Sequence, residues 1–191
     1  MLIQLILMIL DTICGLLTMA LLARFALQAV RVSFRNPLGQ FVIAITDWMV
    51  RPARRFIPSA FGHDLPSLVL AWFWQAVYLG IAMGFTGALI TVSPAPTIAI
   101  ALIAVLETVK ISLYLAMGVV IVSAVFSWVN PQAPLADLFD YLSRPLLRPF
   151  RRFIPPVGGV DLSPLALLLA LQVALFILSG LRQSVMPLLY S

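Results

Sequence analysis

The sequence predicts an all-α membrane protein with four transmembrane helices in two parallel-oriented helix–loop–helix repeats, each with an interfacial amphipathic helix. Composition is the first reason: 62% of the 191 residues are hydrophobic and 10% are charged, whereas soluble domains carry about 25% charged residues. So few polar groups cannot cover a soluble globule, and most faces must contact lipid. The other two reasons are four long apolar stretches and an internal sequence repeat.

The apolar stretches define the predicted spans, because a helix needs roughly 20 residues to cross the bilayer core. The four stretches lie within 5–30, and at about 65–92, 97–129 and 164–181. Between the second and the third, Ser93-Pro94-Ala95-Pro96 predicts a tight turn, since two prolines stop a helix. The other two connections, 31–64 and 130–163, are long.

The basic residues predict the orientation of the chain. The net charge is +5 and nine of the twelve Lys and Arg residues lie in the windows 31–55 and 144–152, beside apolar stretches. This clustering follows the positive-inside rule and does not indicate a nucleic-acid groove. We therefore expect both long loops in the cytoplasm, and both termini and the 93–96 turn outside.

The repeat becomes visible when the chain is shifted on itself by 97 residues. Between 37–75 and 134–172, fifteen of 39 positions are identical without a gap. The densest match pairs the first arginine motif, Arg-Pro-Ala-Arg-Arg-Phe-Ile-Pro at 51–58, with the second, Arg-Pro-Phe-Arg-Arg-Phe-Ile-Pro at 148–155. The identity predicts a duplication with halves 1–96 and 97–191, packed around a pseudo-twofold axis along the membrane normal.

Each long loop contains an apolar stripe that begins after a proline. After Pro37 and after Pro134, apolar residues recur at i, i+3, i+4 and i+7, which predicts amphipathic helices over 37–50 and 134–147. These helices either lie in the membrane plane or pack against their own spans. The prolines of the arginine motifs are expected to prevent the helices from continuing.

The arginine motifs are the candidate lipid- or partner-binding sites. Guanidinium groups match phosphate oxygens in bidentate geometry, and each arginine near an anionic surface contributes roughly 1 kcal/mol of attraction. The alternative is that the motifs only anchor the topology. The candidate residues are Arg51, Arg54, Arg55, Arg148, Arg151 and Arg152.

Five further charged residues attract attention. Asp64 and Asp161 precede the second span of each repeat, where an aspartate either caps the helix or pairs with a nearby arginine. Charge within a span is costly and needs a partner. Glu107 and Lys110 are three residues apart and can pair on one helix, whereas Arg24 is expected to snorkel to the cytoplasmic interface. A proton, ion or partner site is the alternative role for Arg24, Glu107 and Lys110.

The sequence contains few residues that are suited to catalysis. The chain has one cysteine, Cys14, within an apolar run, and one histidine, His63. One cysteine excludes an intramolecular disulfide and a Cys-ligated zinc site, and the pattern holds no nucleophile–base set. We therefore predict that the protein is not an enzyme and that it needs no cofactor.

Four segments resemble the YggT (YlmG) family of bacterial and plastid membrane proteins: Asn36-Pro37-Leu38, the first arginine motif, Ser127-Trp-Val-Asn-Pro131, and Arg148-Pro-x-Arg-Arg-Phe-Ile-Pro-Pro-x-Gly-Gly-x-Asp-Leu-Ser-Pro164. The resemblance implies a multi-pass protein of the bacterial plasma (inner) membrane without an assigned reaction. In bacteria the family is linked to osmotic stress and potassium tolerance. Relatives in plastids and cyanobacteria are associated with haem attachment in cytochrome b6f assembly and with nucleoid or division phenotypes.

Two functional hypotheses follow. The first is a scaffold, assembly or stress-adaptation factor that binds anionic lipid headgroups, membrane-protein partners or a second copy of itself through the arginine motifs. The alternative is a small oligomeric channel or transporter in osmotic or potassium adaptation, with Arg24, Glu107 or Lys110 facing a path between the repeats. Neither hypothesis involves nucleic acid.

Overall fold

The computed structural model describes residues 1–57, 64–86, 95–154 and 161–189. These residues form six α-helices and no strand, and a short 3₁₀ turn, Met186–Leu189, follows the last helix. The helices are α1 (Leu2–Ala29), α2 (Pro37–Ala53), α3 (Leu65–Thr86), α4 (Ala95–Val129), α5 (Ala136–Phe153) and α6 (Ser163–Val185).

Four of the helices, α1, α3, α4 and α6, are long and apolar enough to cross a membrane. They coincide with the four predicted spans, so the chain is a multi-pass membrane protein. The predicted 93–96 turn falls partly outside the described residues. Since α4 begins at Ala95, the second half of that turn is helical. With 35 residues, α4 is about 52 Å long and exceeds the hydrocarbon core of about 30 Å.

Each short helix packs against the long helices of its own half. In the first half, Met49 and Val50 of α2 lie in a buried cluster with Leu21 of α1 and Ala71 of α3. In the second half, apolar residues of α4, α5 and α6 form the corresponding cluster, namely Val120, Leu147, Leu167 and Leu171. At least one side of each short helix therefore packs against the long helices of its own half.

A further cluster joins the two halves at the end of the bundle that carries α2 and α5, called here the loop-bearing end. Leu27 of α1 is buried there with Leu138 and Leu142 of α5, and Phe34 and Leu38 of the first loop pack against them. Both arginine motifs thus belong to the same end of the molecule.

The start of α2 follows from local chemistry and confirms the predicted boundary. Asn36 is the N-cap, and its side-chain oxygen accepts a hydrogen bond from the Gly39 amide at 2.7 Å. Pro37 occupies the first turn, where its missing N–H is not needed. A Cβ on Gly39 would lie 2.8 Å from the Phe34 Cα, so only glycine fits this position.

The predicted effect of the motif prolines is wrong for Pro52 and Pro149, whereas Pro58 and Pro155 lie outside the described residues. α2 continues through Pro52 to Ala53, and α5 continues through Pro149 to Phe153. Proline removes one hydrogen bond to the carbonyl four residues earlier. For Pro52 and Pro149 those carbonyls belong to the exposed residues Trp48 and Pro145, which can find partners outside the protein. Hence the helices tolerate the prolines.

The end of α1 places an arginine in an unusual backbone conformation. The Val32 amide bonds the Leu27 carbonyl and the Arg31 amide bonds the Gln28 carbonyl, both at 3.0 Å. This is the Schellman pattern, in which glycine usually occupies the left-handed position. Here Arg31 occupies it with a φ of 58°, at a cost of about 1–2 kcal/mol.

Candidate functional site

The first half contains a buried ionic network centred on Asp64, at the start of α3. Its Oδ2 accepts hydrogen bonds from Arg24 Nε at 3.2 Å, Arg54 Nη2 at 3.2 Å and Ser67 Oγ at 2.8 Å. The Asp64 side chain is 0% exposed. Because Arg24 belongs to α1 and Arg54 directly follows α2, the network ties all three elements together.

Arg24 is the central cation of this network. Besides Asp64, its guanidinium bonds Thr46 Oγ1 at 2.9 Å and Asp47 Oδ1 at 3.1 Å on α2. Asp47 in turn pairs with Arg51 at 2.6 Å, one turn further along the same helix. The prediction that Arg24 snorkels to the surface is wrong, because its side chain is only 6% exposed and its charge is neutralised inside the protein.

Asp64 therefore follows the ion-pair alternative. Its second oxygen, Oδ1, is buried and has no hydrogen-bond partner among the described residues. The network includes three cations and two anions, Arg24, Arg51, Arg54, Asp47 and Asp64, so one positive charge remains in excess. Removing one partner of such a buried pair typically costs 3–5 kcal/mol, which makes this network a structural clamp at the loop-bearing end.

The second half forms a smaller and more open version of the same centre. Arg151 Nε donates to Asp161 Oδ2 at 2.9 Å, and the Asp161 side chain is 39% exposed. Asp161 Oδ1 also accepts a hydrogen bond from the Ser163 amide at 2.9 Å, so this aspartate satisfies the first amide of α6 from the position before the N-cap residue, Leu162. Partial burial raises the pKa of Asp161, but hydrogen bonds from Ser163 and Arg151 outweigh it and hold the pKa below the ordinary value of 3.8.

The difference between the halves begins on the first long helix of each. At the offset of 97 residues, the position of Arg24 is taken by Ile121 of α4, so no buried cation reaches Asp161 from that helix. A cavity of about 240 Å³ lies beside Asp161, bordered also by Arg151, Asp140 and Ser127.

The six motif arginines divide into two groups. Arg51, Arg54 and Arg151 are held in ion pairs with aspartates. Arg55, Arg148 and Arg152 are exposed and make no ion pair with any described residue. The same division occurs in both motifs: the first arginine of the adjacent pair forms an ion pair with the aspartate, and the second has no ion-pair partner within the described part of the chain.

The remaining predicted charges lie near the opposite end of the bundle. Lys110 Nζ donates to Glu107 Oε2 at 2.8 Å, which confirms the predicted pair. Arg182 also reaches Glu107, with Nε 2.9 Å from Oε1. Because this N–H is not aimed at the oxygen, the contact is an ion pair without a hydrogen bond. The sequence singled out Glu107 and Lys110 but not Arg182, whose partner lies on another helix.

Depth along the helices explains why these charges are tolerated. Arg182 follows the start of α6 by 19 residues, and Lys110 precedes the end of α4 by 19 residues. At 1.5 Å per residue both lie about 28 Å from the loop-bearing end, which is close to one hydrocarbon thickness. Position within the third span suggested the membrane centre, whereas this distance along the helices favours a position near the far interface. A cavity of about 120 Å³ adjoins them.

Three members of the Asp64 network were not predicted from the sequence. They are Thr46, Asp47 and Ser67, and only Asp47 carried a signal, as the only acidic residue of the helix predicted over 37–50. Among the described residues, no group of three or more His, Cys, Asp or Glu side chains is arranged to hold a metal ion.

Comparison with known proteins identifies the family. The model of the CCB3/YggT family matches residues 3–85 and 99–182. The uncharacterized protein PA0392 of Pseudomonas aeruginosa is 37% identical over 170 residues, covering 86% of this chain and 83% of that protein. YggT of Escherichia coli K12 is 36% identical over 170 residues, with coverage of 86% and 84%.

A protein encoded in the proC 3′ region of Vibrio alginolyticus is 31% identical over 178 residues, covering 91% of this chain and 92% of that protein. No solved structure gives a significant match. The family match covers both halves and the relatives span nearly the full length, so the resemblance noted in the four segments is confirmed. The chain belongs to the CCB3/YggT family of multi-pass membrane proteins.

Proposed function

We propose that this protein is a non-catalytic membrane scaffold or stress-adaptation factor that binds anionic lipid headgroups or acidic membrane partners at its loop-bearing end. The observation that carries the proposal is the division within the arginine motifs. Arg54 and Arg151 form ion pairs with Asp64 and Asp161. By contrast, Arg55, Arg148 and Arg152 are exposed and form no ion pair with a described residue.

Exposed aromatic residues beside the free arginines support a membrane-surface position. Phe56 and Phe153, which directly follow Arg55 and Arg152, are 86% and 81% exposed. In water such exposure has no compensation, but at the headgroup level a phenyl ring enters the acyl region while its neighbouring guanidinium binds phosphate. Trp48 of α2 is exposed as well and suits the same interface.

This chemistry extends to the arrangement in the membrane. We propose two parallel repeats, 1–96 and 97–191, whose helices α2 and α5 lie at the interface with their arginines toward the cytoplasm. Both termini then lie outside, in the plasma (inner) membrane of a bacterium. Ten of the twelve basic residues lie at the loop-bearing end, and only Lys110 and Arg182 lie at the other, which is the asymmetry that the positive-inside rule describes.

The test replaces the three free arginines in one variant, Arg55→Gln, Arg148→Gln and Arg152→Gln. At roughly 1 kcal/mol per arginine, we expect co-purification of phosphatidylglycerol and cardiolipin with the detergent-solubilised protein to fall by more than tenfold. Thermal stability should stay unchanged, because none of the three supports the fold. Lipid content is measured by mass spectrometry of the extracted lipids.

The matched control is Arg144→Gln. Arg144 is an exposed arginine of α5, but it pairs with Asp140 at 2.7 Å and stacks on Tyr141, so its replacement should leave lipid content unchanged. Undiminished anionic lipid or partner capture by the triple variant would refute the proposal. In cells, a strain lacking the gene should regain growth at high osmolarity with the wild-type chain and not with the triple variant.

The channel or transporter alternative has one observation in its favour. Glu107, Lys110 and Arg182 adjoin a cavity between α4 and α6, near the end of the bundle opposite the loops, and charged residues on spanning helices often mark an ion path. Proteoliposomes containing the protein would then pass potassium or an osmolyte, and Glu107→Gln would change that flux. The absence of any flux in the wild type would remove this alternative.

A further inference from the structure

An apolar groove separates the two halves within the membrane-spanning part of the bundle. Its volume is about 730 Å³, and α1 and α2 form one wall while α4 and α5 form the other. Its lining includes Leu17 and Ala20 from α1, Ile45 from α2, and Gly118 and Val122 from α4. The two repeats thus do not close on each other along this seam.

The groove runs from the loop-bearing end into the membrane. Leu27 marks its upper end, beside Leu38 and Leu142, and Ile13 marks the lower end. The 14 residues of α1 between Leu27 and Ile13 correspond to about 21 Å. One leaflet of the hydrocarbon core is about 15 Å thick, so a lipid tail lying in the groove would be accommodated over its full depth.

Two arginines outside both motifs stand at the upper end. Val32 and Phe34 pack against the Leu27 cluster. Arg31 and Arg35 flank this segment in sequence, and both are exposed. Neither arginine makes an ion pair with a described residue. Positive charge on the segment that packs at the upper end of an apolar groove is complementary to an anionic phospholipid, which carries its phosphate immediately above its tails.

We propose that this groove holds one acyl chain of an anionic phospholipid whose phosphate binds Arg31 and Arg35. The lipid then lies between the two repeats. Its binding site is distinct from the arginine motifs. A second copy of the chain is a poorer occupant. Two copies inserted in the same orientation and related by a twofold axis along the membrane normal would bring Arg31 and Arg35 of both to the same level, where these like charges repel each other.

The test uses the full chain in detergent with a phosphatidylglycerol that carries a photoactivatable diazirine in its acyl chain. Cross-linked peptides are identified by mass spectrometry. Label is expected on the peptides around Leu17–Ala23 and Gly118–Val122, and a phosphatidylcholine with the same diazirine should label them at least fivefold less, since it lacks net negative charge.

Gly118→Leu fills part of the groove, because Gly118 lines it and a Cβ at this position meets nothing within 4 Å. The matched control is Gly180→Leu, an exposed glycine of α6 that also has open space and lies outside the groove. We expect Gly118→Leu to abolish groove labelling and Gly180→Leu to preserve it, with equal melting temperatures.

The arginine arm uses Arg31→Gly and Arg35→Gln. Glycine suits the left-handed backbone at position 31, so Arg31→Gly keeps the fold while removing the charge. Each replacement should weaken phosphatidylglycerol binding about fivefold. Replacing Arg55, Arg148 and Arg152 should leave groove labelling intact, so this inference and the proposed function fail separately. Labelling that persists in Gly118→Leu, equal labelling by phosphatidylcholine, or a dimer that Gly118→Leu dissociates would overturn the inference.

Discussion

The two halves of the chain carry the same Arg-Pro-x-Arg-Arg sequence and the same following aspartate, yet the two aspartates differ in burial and in hydrogen-bond partners. Asp64 is 0% exposed and bonds two arginines and a serine. Asp161 is 39% exposed and bonds one arginine and the backbone of α6. The same motif therefore takes part in a buried ionic network in the first half and in a partly solvated ion pair in the second.

The cause lies outside the motif. Arg24 of α1 extends between α2 and α3 and reaches Asp64, Thr46 and Asp47. The corresponding residue of α4 is Ile121, and the corresponding residue to Asp47 is Arg144. The two matching motifs thus share their local pairing, Arg54 with Asp64 and Arg151 with Asp161, but the neighbouring helix decides how deeply that pair is buried.

The largest expected effect is the difference in stability between Asp64→Ala and Asp161→Ala. Asp64→Ala leaves Arg24 buried with fewer partners, so the free energy of unfolding should fall by about 3–5 kcal/mol. Asp161→Ala removes a partly solvated pair worth about 0–1 kcal/mol. Unfolding of the detergent-solubilised chain in SDS, followed by far-UV circular dichroism, measures both.

A double-mutant cycle of Arg24→Met and Asp64→Asn then isolates the contact. We expect a coupling free energy within the range of 0.5–3 kcal/mol seen for residues in direct contact. Equal destabilisation by the two alanine variants, or a coupling near zero, would contradict the proposed asymmetry.

A second contrast concerns the two glutamines that the repeat aligns. Gln75 of α3 is buried and donates to Thr18 Oγ1 on α1 at 3.0 Å. Its counterpart Gln172 is exposed on α6, and Leu115 stands where α1 has Thr18. Gln75→Leu should lower the free energy of unfolding by about 1 kcal/mol, because it breaks a buried hydrogen bond. Gln172→Leu should leave it unchanged, and the same SDS titration measures both; an equal loss would argue against the packing of α1 on α3.

The smallest effect is a pH dependence confined to the second half. The pKa of Asp161 is held below 3.8 in the folded chain, so the pair with Arg151 stabilises the fold at neutral pH. This stabilisation is lost as the pH falls from about 3.8 through the folded pKa. We expect the difference in melting temperature between the wild type and Asp161→Asn to shrink across that acidic window. A difference that grows with acidification would show that the sign is wrong.

Much of the fold could be predicted because it follows from local properties. The four spans follow from apolar length, and the start of α2 follows from Asn36 and Pro37. The Glu107–Lys110 pair follows from spacing on one helix. The motif prolines misled, since Pro52 and Pro149 lie inside helices. Whether the freed carbonyl finds a partner depends on its exposure, which sequence spacing does not report.

By itself, the sequence determined that this is a membrane protein of the CCB3/YggT type with two arginine motifs, because composition, hydrophobic length and local motifs are properties of short segments. Only the tertiary structure decided which arginines are free. Arg54 and Arg55 are adjacent and chemically identical, but Asp64 approaches one of them from the start of α3. The groove beneath Arg31 and the depth of Arg182 likewise depend on how helices far apart in the chain pack together.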